Sequence, residues 1–497
     1  MSDELFDLYE EAVKKIEAAR KAIERFETAI KQNREELQRV AKALTKHVQG
    51  IDLNKFTEFL EEPYAILPKG RGEWWVVAPK FINFQLGWLE TTTKSYNIFV
   101  VNKYVKWVAE IPPELEEKLE ITPPLPATVE HGILKVPPEY EGEAKSRYRQ
   151  FITRKVGRGM FKIKKGYEFQ LISQMVRDGI LPFVPKPVNK NDLRHPPDIE
   201  LTDYQKKALD EFLKWGAIGI YWPSGTGKTF FGAYLCKLLK GRKLIVVPTR
   251  TEIEQWKRYL NLLSVPEDEV DLLTYYSYHK VMYRGYNLLI LDEAHRLPAN
   301  TFIRFSTVNA KYRIGLSATP WREDHREYLI FALTGHPVGL SWRHFYKLGI
   351  IRKPQVKVYI LPSTEAKIKK LEELVKLPLK TIIFCDYIDL GKRIANRLGV
   401  PFVYGASKDR LKTIEQNLVT VVSRVGDEGI SIKDLERTIE VAFLGKSRRQ
   451  EAQRAFRLLH STQPDVQHII LMTRAEFEKY HTRLYSLIEK GFRIEVV

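Results

Sequence analysis

The stretch Trp222-Pro223-Ser224-Gly225-Thr226-Gly227-Lys228-Thr229 follows an apolar run, AIGIY, and precedes a helical pattern. Its glycines let backbone N–H groups approach phosphate oxygens, and the start of the helix adds its positive end. Lys228 can reach the β- and γ-phosphates of a nucleotide, and the Thr229 hydroxyl can ligate Mg²⁺. Ser224, Gly225, Thr226, Gly227, Lys228 and Thr229 are thus the expected nucleotide-binding loop. Trp222 stands where the usual pattern has its first glycine. Asp292-Glu293-Ala294-His295 follows a second apolar run, NLLIL. A carboxylate at the end of a parallel strand lies beside such a loop, so Asp292 is the expected partner of Thr229 in holding Mg²⁺. Glu293 can orient and deprotonate a water that attacks the terminal phosphate. ATP and Mg²⁺ are the cofactors this chemistry needs.

These residues must be positioned by strands. From residue 198 onward, short apolar runs (AIGIYW, KLIVVPT, NLLILDEAH, RIGLSATP) alternate with amphipathic helices. That alternation predicts a parallel sheet with helical crossovers. A second series begins near residue 354 with QVKVYIL, KTIIFC, LVTVVS, TIEVAF and HIILMT. Two such series in tandem predict two similar α/β domains, over 196–340 and 341–497.

Further motifs place the chain in a family. GTGKT, DEAH, Ser317-Ala318-Thr319, and Gln453-Arg454 with Arg457 resemble motifs I, II, III and VI of superfamily 2 helicases. Leu201-Thr202-Asp203-Tyr204-Gln205 resembles the upstream adenine-reading element, with Gln205 as reader. Pro248-Thr249-Arg250 resembles the motif that holds the nucleic-acid backbone. Arg322-Glu323-Asp324, directly after Ser317-Ala318-Thr319, is similar to an element of the XPB (xeroderma pigmentosum group B) type. SRRQEAQR (447–454) and the ending SLIEKGFRIEVV also look like that family's second domain. The resemblance spans roughly residues 198–497. It implies two RecA-like domains and an ATP-dependent DNA helicase or translocase acting on duplex, forked or branched DNA in repair, recombination or remodelling. It implies catalytic roles for Lys228, Asp292, Glu293, Gln453 and Arg457, and nucleic-acid or coupling roles for Arg250, Ser317, Thr319, Arg322, Glu323 and Asp324.

The chain departs from the family at several points. In motif VI the glycine position is Phe456 and the last arginine is His460, so Arg457 is expected to act as a single arginine finger. Near motif V, Gly426-Asp427-Glu428-Gly429 is recognisable, yet the next acidic position is Ser431. The stretch between the two α/β domains is short, with no room for a large thumb insertion.

The first 195 residues lie outside that resemblance. Tyr9, Ile16, Ile23, Ile30, Leu37 and Leu44 recur every seven residues, with Ala12, Ala19, Phe26, Asn33 and Val40 between them. This is a coiled-coil seam and predicts a long helix over 1–50. It would serve self-association or a protein partner, or else pack on its own chain. Residues 51–195 are expected to form a small β-rich α+β accessory domain. In it, FINFQLGWLE and YNIFVVNKYVKWVAEI flank TTTKS as a hairpin. Its aromatic residues Trp88, Tyr96, Phe99, Tyr104 and Trp107 can stack on bases or simply fill a β core.

The charge distribution favours a polyanionic partner. The chain has a formal net charge of +18 over 497 residues, and 12 basic residues against 2 acidic ones fall within 145–190. Arg154, Lys155, Arg158, Lys162 and Lys164 are the expected DNA contacts in that segment. No apolar run is long enough to span a bilayer and the acidic N-terminus is no secretory signal. Two cysteines, Cys236 and Cys385, supply neither a disulfide framework nor a zinc site. The expectation is an intracellular protein with DNA, and no membrane, as its partner. Two function readings result: the DNA motor, or a low-turnover ATP-binding DNA scaffold that recruits a nuclease or repair partner through its coiled coil.

Overall fold

The structure, a computed structural model, describes residues 65–70, 73–79, 87–93, 96–108, 125–281, 284–318, 320, 326–340, 342–351, 353–407, 409–424, 432, 434–445, 447–461, 463 and 465–497. The expected coiled coil of residues 1–50 lies outside them. The chain divides into two compact units between Asn102 and Lys103. That division falls inside the stretch 51–195 expected as one accessory domain, and each side of it carries its own sheet.

In the first unit, β1 (Ala65–Gly70), β2 (Glu73–Pro79), β3 (Trp88–Thr92) and β4 (Tyr96–Asn102) form an antiparallel sheet in the order β1-β2-β4-β3. The expected hairpin is the β3–β4 pair, closed by a Thr93 N–H donated to the Tyr96 carbonyl at 2.8 Å. Tyr96 and Phe99 are buried within this unit.

The second unit opens with another antiparallel sheet. It comprises β5 (Thr128–Glu130), β6 (Ile133–Lys135), β7 (Ile152–Gly157) and β8 (Met160–Ile163), in the order β5-β6-β8-β7. Phe161 and Ile163 alternate with exposed Met160 and Lys162, so one face is buried and the other wet. The helix Glu168–Arg177 covers the buried face through Leu171 and Met175, in a core shared with Tyr148 and Phe151.

Two parallel sheets follow, which establish the two-domain α/β fold. The first holds β9 (Ala217–Tyr221), β10 (Lys243–Val247), β11 (Val270–Thr274), β12 (Gly285–Asp292), β13 (Asn309–Ser317) and β14 (His336–Gly339). Their order is β11-β10-β12-β13-β9-β14. The second holds β15 (Gln355–Leu361), β16 (Thr381–Cys385), β17 (Phe402–Val403), β18 (Val419–Val422), β19 (Arg437–Ala442), β20 (Gln467–Thr473) and β21 (Ile494–Val496). Their order is β17-β18-β16-β19-β20-β15-β21. Helices on both faces explain why central strands such as β10 and β16 are buried at every residue.

The connector helix Trp342–Lys347 joins the two sheets. Its Phe345 is fully buried, edge-on to Tyr204 at 5.0 Å and tilted against Trp222 at 6.4 Å. The same apolar cluster continues through Ile351 and Val356 to Phe456 and Phe492 of the second domain. Among the described residues, no helix is long and apolar enough to cross a membrane.

Candidate nucleotide site and nucleic-acid interface

In a parallel sheet the loops after the carboxyl ends of the strands gather along one edge. Here β9 leads into Trp222–Gly227, β10 into Thr249-Arg250, β12 into Glu293–His295 and β13 ends at Ser317. The loop after β9 turns through Gly225 (φ 71°) and Gly227 (φ 83°), left-handed positions that favour glycine. A Cβ on Gly227 would lie 2.8 Å from Gln205 Nε2, so this approach also requires glycine. Gln205 itself is buried, and its Oε1 accepts the Thr202 N–H at 3.1 Å in the capping box of the helix Asp203–Trp215. Tyr204 Oη donates to the Thr226 carbonyl at 2.7 Å. Trp222, in the glycine position of the usual pattern, is fully buried, and its ring meets Tyr204 edge-on at 4.9 Å.

Lys228 opens the helix Lys228–Leu238, and its Nζ bridges the loop carbonyls of Trp222 (3.0 Å) and Pro223 (2.9 Å). Burial pushes its ammonium below the usual value, opposed by the nearby carboxylates of Glu293 and Asp292. Thr229, next in the helix, is half-buried.

Asp292 ends β12 with both oxygens engaged: Oδ1 accepts the Glu293 N–H at 2.9 Å and Oδ2 the Trp256 indole N–H at 2.7 Å. Tyr275 Oη donates to its carbonyl at 2.5 Å. Burial, then the neighbouring charge of Glu293, pushes the Asp292 carboxyl up to about 6. Glu293 adopts a left-handed backbone (φ 49°, ψ 50°), a costly conformation for a residue with a side chain. Its Oε2 lies 3.1 Å from His295 Nδ1, and that nitrogen lies 3.1 Å from Ser317 Oγ. Strands β12 and β13 are thereby joined at their ends through Glu293, His295 and Ser317. Hard oxygen donors on Asp292 and Thr229 beside a half-buried lysine and a glycine nest suit Mg²⁺ and a polyphosphate.

The motif VI residues occupy the second domain on the helix Arg448–Phe456 and just beyond it. Gln453 is half-buried. Arg454 is fully buried, donating to Glu440 Oε2 at 2.9 Å and Asp386 Oδ1 at 2.5 Å. Arg483 donates to the same Glu440 oxygen and to Glu451, which also pairs with His468. Arg457 lies with its guanidinium 6.0 Å from the Phe384 ring centre, on a ring that Arg454 meets at 4.7 Å. Arg250, the first residue of the helix Arg250–Leu262, is exposed. Thr319, Arg322, Glu323 and Asp324 lie outside the described residues, as do Gly426–Gly429 and Ser431.

In the accessory sheet, Arg154, Lys155, Arg158 and Lys162 are exposed and Lys164 is half-buried. Edge strand β7 exposes every residue from Thr153 to Val156. Lys155 pairs with Glu141 at 2.5 Å and Lys164 Nζ donates to the Gln150 carbonyl at 2.7 Å. A cleft of about 430 Å³ beside this sheet is lined by Ser146, Arg147, Arg149, Gln150 and Lys164.

Reading by motif did not single out Trp256, Tyr275 or Asp386. Trp256 looks like a core residue of an amphipathic helix, and its tie to Asp292 spans 36 positions.

A glycine-rich loop and strand-end carboxylates thus share one edge of the first parallel sheet, and a second parallel-sheet domain follows in the chain. Residues 353–493 match the ERCC3/RAD25/XPB C-terminal helicase family. Rad25 of Halobacterium salinarum is 31% identical over 353 residues, covering 60% of this chain and 58% of that protein. The DNA 3'-5' translocase XPB2 of Sulfurisphaera tokodaii is 26% identical over 384 residues, covering 60% of this chain and 86% of that protein. Lhr of Mycobacterium smegmatis, bound to ssDNA and AMP-PNP, matches with a TM-score of 0.46 at 15% identity, over 60% of this chain and 49% of that one. The chain spans less than two thirds of the length of the halobacterial relative.

Proposed function

We propose that the chain is an ATP-dependent DNA helicase or translocase that acts on duplex, forked or branched DNA. The observation that carries this is the convergence of Lys228, Asp292 and Glu293 at one sheet edge, beside a second domain of the XPB type. Gly225 to Gly227 cradle the phosphates, and Lys228 leaves its own loop carbonyls to reach the β- and γ-phosphates. Thr229 and Asp292 would hold Mg²⁺, which supplies charge neutralisation at the transferred phosphoryl group. Glu293 orients and deprotonates the attacking water, with its carboxylate fixed by His295. Gln205 reads the adenine, and Arg457 serves as the arginine finger from the second domain.

Arg250 holds the DNA backbone on the motor, with Thr319, Arg322, Glu323 and Asp324 coupling hydrolysis to the strands. Edge strand β7 and its neighbour β8, with Arg154, Lys155, Arg158, Lys162 and Lys164 on or beside them, grip the duplex through phosphate charge. The heptad segment 1–50 serves self-association or a protein partner. The complete set Lys228, Asp292 and Glu293 favours turnover over the scaffold reading.

The test is ATP hydrolysis by the full chain with and without forked DNA, together with displacement of a labelled strand. Hydrolysis stimulated by DNA supports the motor. ATP binding with DNA-insensitive, negligible turnover establishes the scaffold instead.

A further inference from the structure

One side chain touches both halves of the nucleotide site from a third element. Trp256 lies on the helix Arg250–Leu262 and is fully buried. Its indole N–H, which can only donate, meets Asp292 Oδ2 at 2.7 Å. The far edge of the same ring presses on the helix that carries Lys228 and Thr229. A Cβ added to Gly232 there would lie 2.5 Å from Trp256 Cη2 and 3.2 Å from Cζ3. Glycine inside a helix is unfavourable relative to alanine, and room for this ring accounts for it. Gly232 is four residues after Lys228, hence on the same helix face.

The helix bearing Trp256 starts at Thr249-Arg250, the proposed contact with the nucleic-acid backbone. Thr249 caps it, with Glu252 Oε2 accepting the Thr249 N–H at 2.8 Å, and exposed Arg250 is its first residue. Arg250 and Trp256 are thus held about 9 Å apart along one rigid rod. A shift of the helix start moves the indole against Asp292 and Gly232 together.

We propose that Trp256 is a positioning residue: it fixes the Asp292 carboxylate for the metal and transmits nucleic-acid contact at Thr249-Arg250 to it. This rests on the reading of Asp292 as an Mg²⁺ ligand. With Oδ2 accepting from the indole and Oδ1 from the Glu293 N–H, each oxygen keeps a further lone pair for a metal ion. Without the indole the carboxylate can rotate.

The experiment measures equilibrium binding of a fluorescent ADP analogue to the full chain, in EDTA and across an Mg²⁺ series, with and without a DNA duplex. Trp256→Phe keeps an aromatic filler and removes the donor. Metal-free binding is expected to stay at the parental value. The Mg²⁺ concentration at half-effect should rise about tenfold, the size of one lost hydrogen bond to a charged group. In the parent, DNA should shift that concentration; in Trp256→Phe the shift should vanish. Gly232→Ala pushes the same ring without removing its donor and should reproduce the effect. Its cost should be smaller in a Trp256→Phe background, where the shorter ring leaves space. A parental Mg²⁺ midpoint in Trp256→Phe, an equal loss of metal-free binding, or additive costs in the double variant overturns the proposal. A parent chain that binds no nucleotide overturns the nucleotide-site reading itself, and the proposal with it.

Discussion

Arg454 is a motif VI arginine by sequence, yet its surroundings make it a structural ion. Both carboxylates it meets, Asp386 and Glu440, have side chains with no exposed surface. Arg454→Ala would leave Asp386 with the Leu444 N–H at 3.0 Å in place of its cationic partner, while Glu440 would keep Arg483 at 3.0 Å. Removing one partner of a buried ion pair costs about 3–5 kcal/mol. For a domain of this size, a loss of that order lowers Tm by about 6–20 °C. Arg454→Lys restores the charge but not the two-armed reach, and should fall between. Calorimetry of the full chain, with urea midpoints as a second measure, should show the second domain melting early while the first keeps its transition. If Arg454→Ala melted like the parent and only lost turnover, Arg454 would face the nucleotide, and the buried network would have been misread.

Glu293→Gln should bind nucleotide yet turn it over about a hundredfold more slowly, the usual share of a general base, and Lys228→Ala should also weaken nucleotide binding. Parental single-turnover rates in both variants refute the catalytic assignment. Arg457→Ala should cut DNA-stimulated hydrolysis by about 10³–10⁵, whereas His460→Ala should change it little; equal effects sink the single-finger reading. Replacing Arg154, Lys155, Arg158, Lys162 and Lys164 together by Ala should lower DNA affinity and flatten the log–log salt slope by up to about 0.9 per lost phosphate contact. An unchanged slope in fluorescence-anisotropy titrations would move the DNA grip elsewhere.

The parallel sheets were legible because buried strands read as unbroken apolar runs between amphipathic helices. The phosphate loop and Asp292-Glu293 were legible because their chemistry demands contiguous residues. What escaped depends on distant pairs. The Asp386–Arg454 contact spans 68 positions, so nothing local marks Arg454 as buried. The charge tally from residue 145 onward misses Glu141 and Glu143, which pair with Lys155 and Arg147 across strand and helix. The grip of the accessory sheet is therefore less positive than its segment suggests. Tyr104 and Trp107, open to base stacking or core by composition, pack on Phe331 at 5.5 and 5.2 Å.

The aromatic residue in the glycine position of the phosphate loop has an optical consequence. Trp222 sits with its ring against Phe345 of the connector helix, sealed from water. Any rearrangement that draws the connector away from the loop exposes an indole to solvent and reddens its emission. Nature has thus installed a fluorophore at the joint. In a background where the other tryptophans are replaced one by one, the opening of that joint can be followed in real time, without a dye.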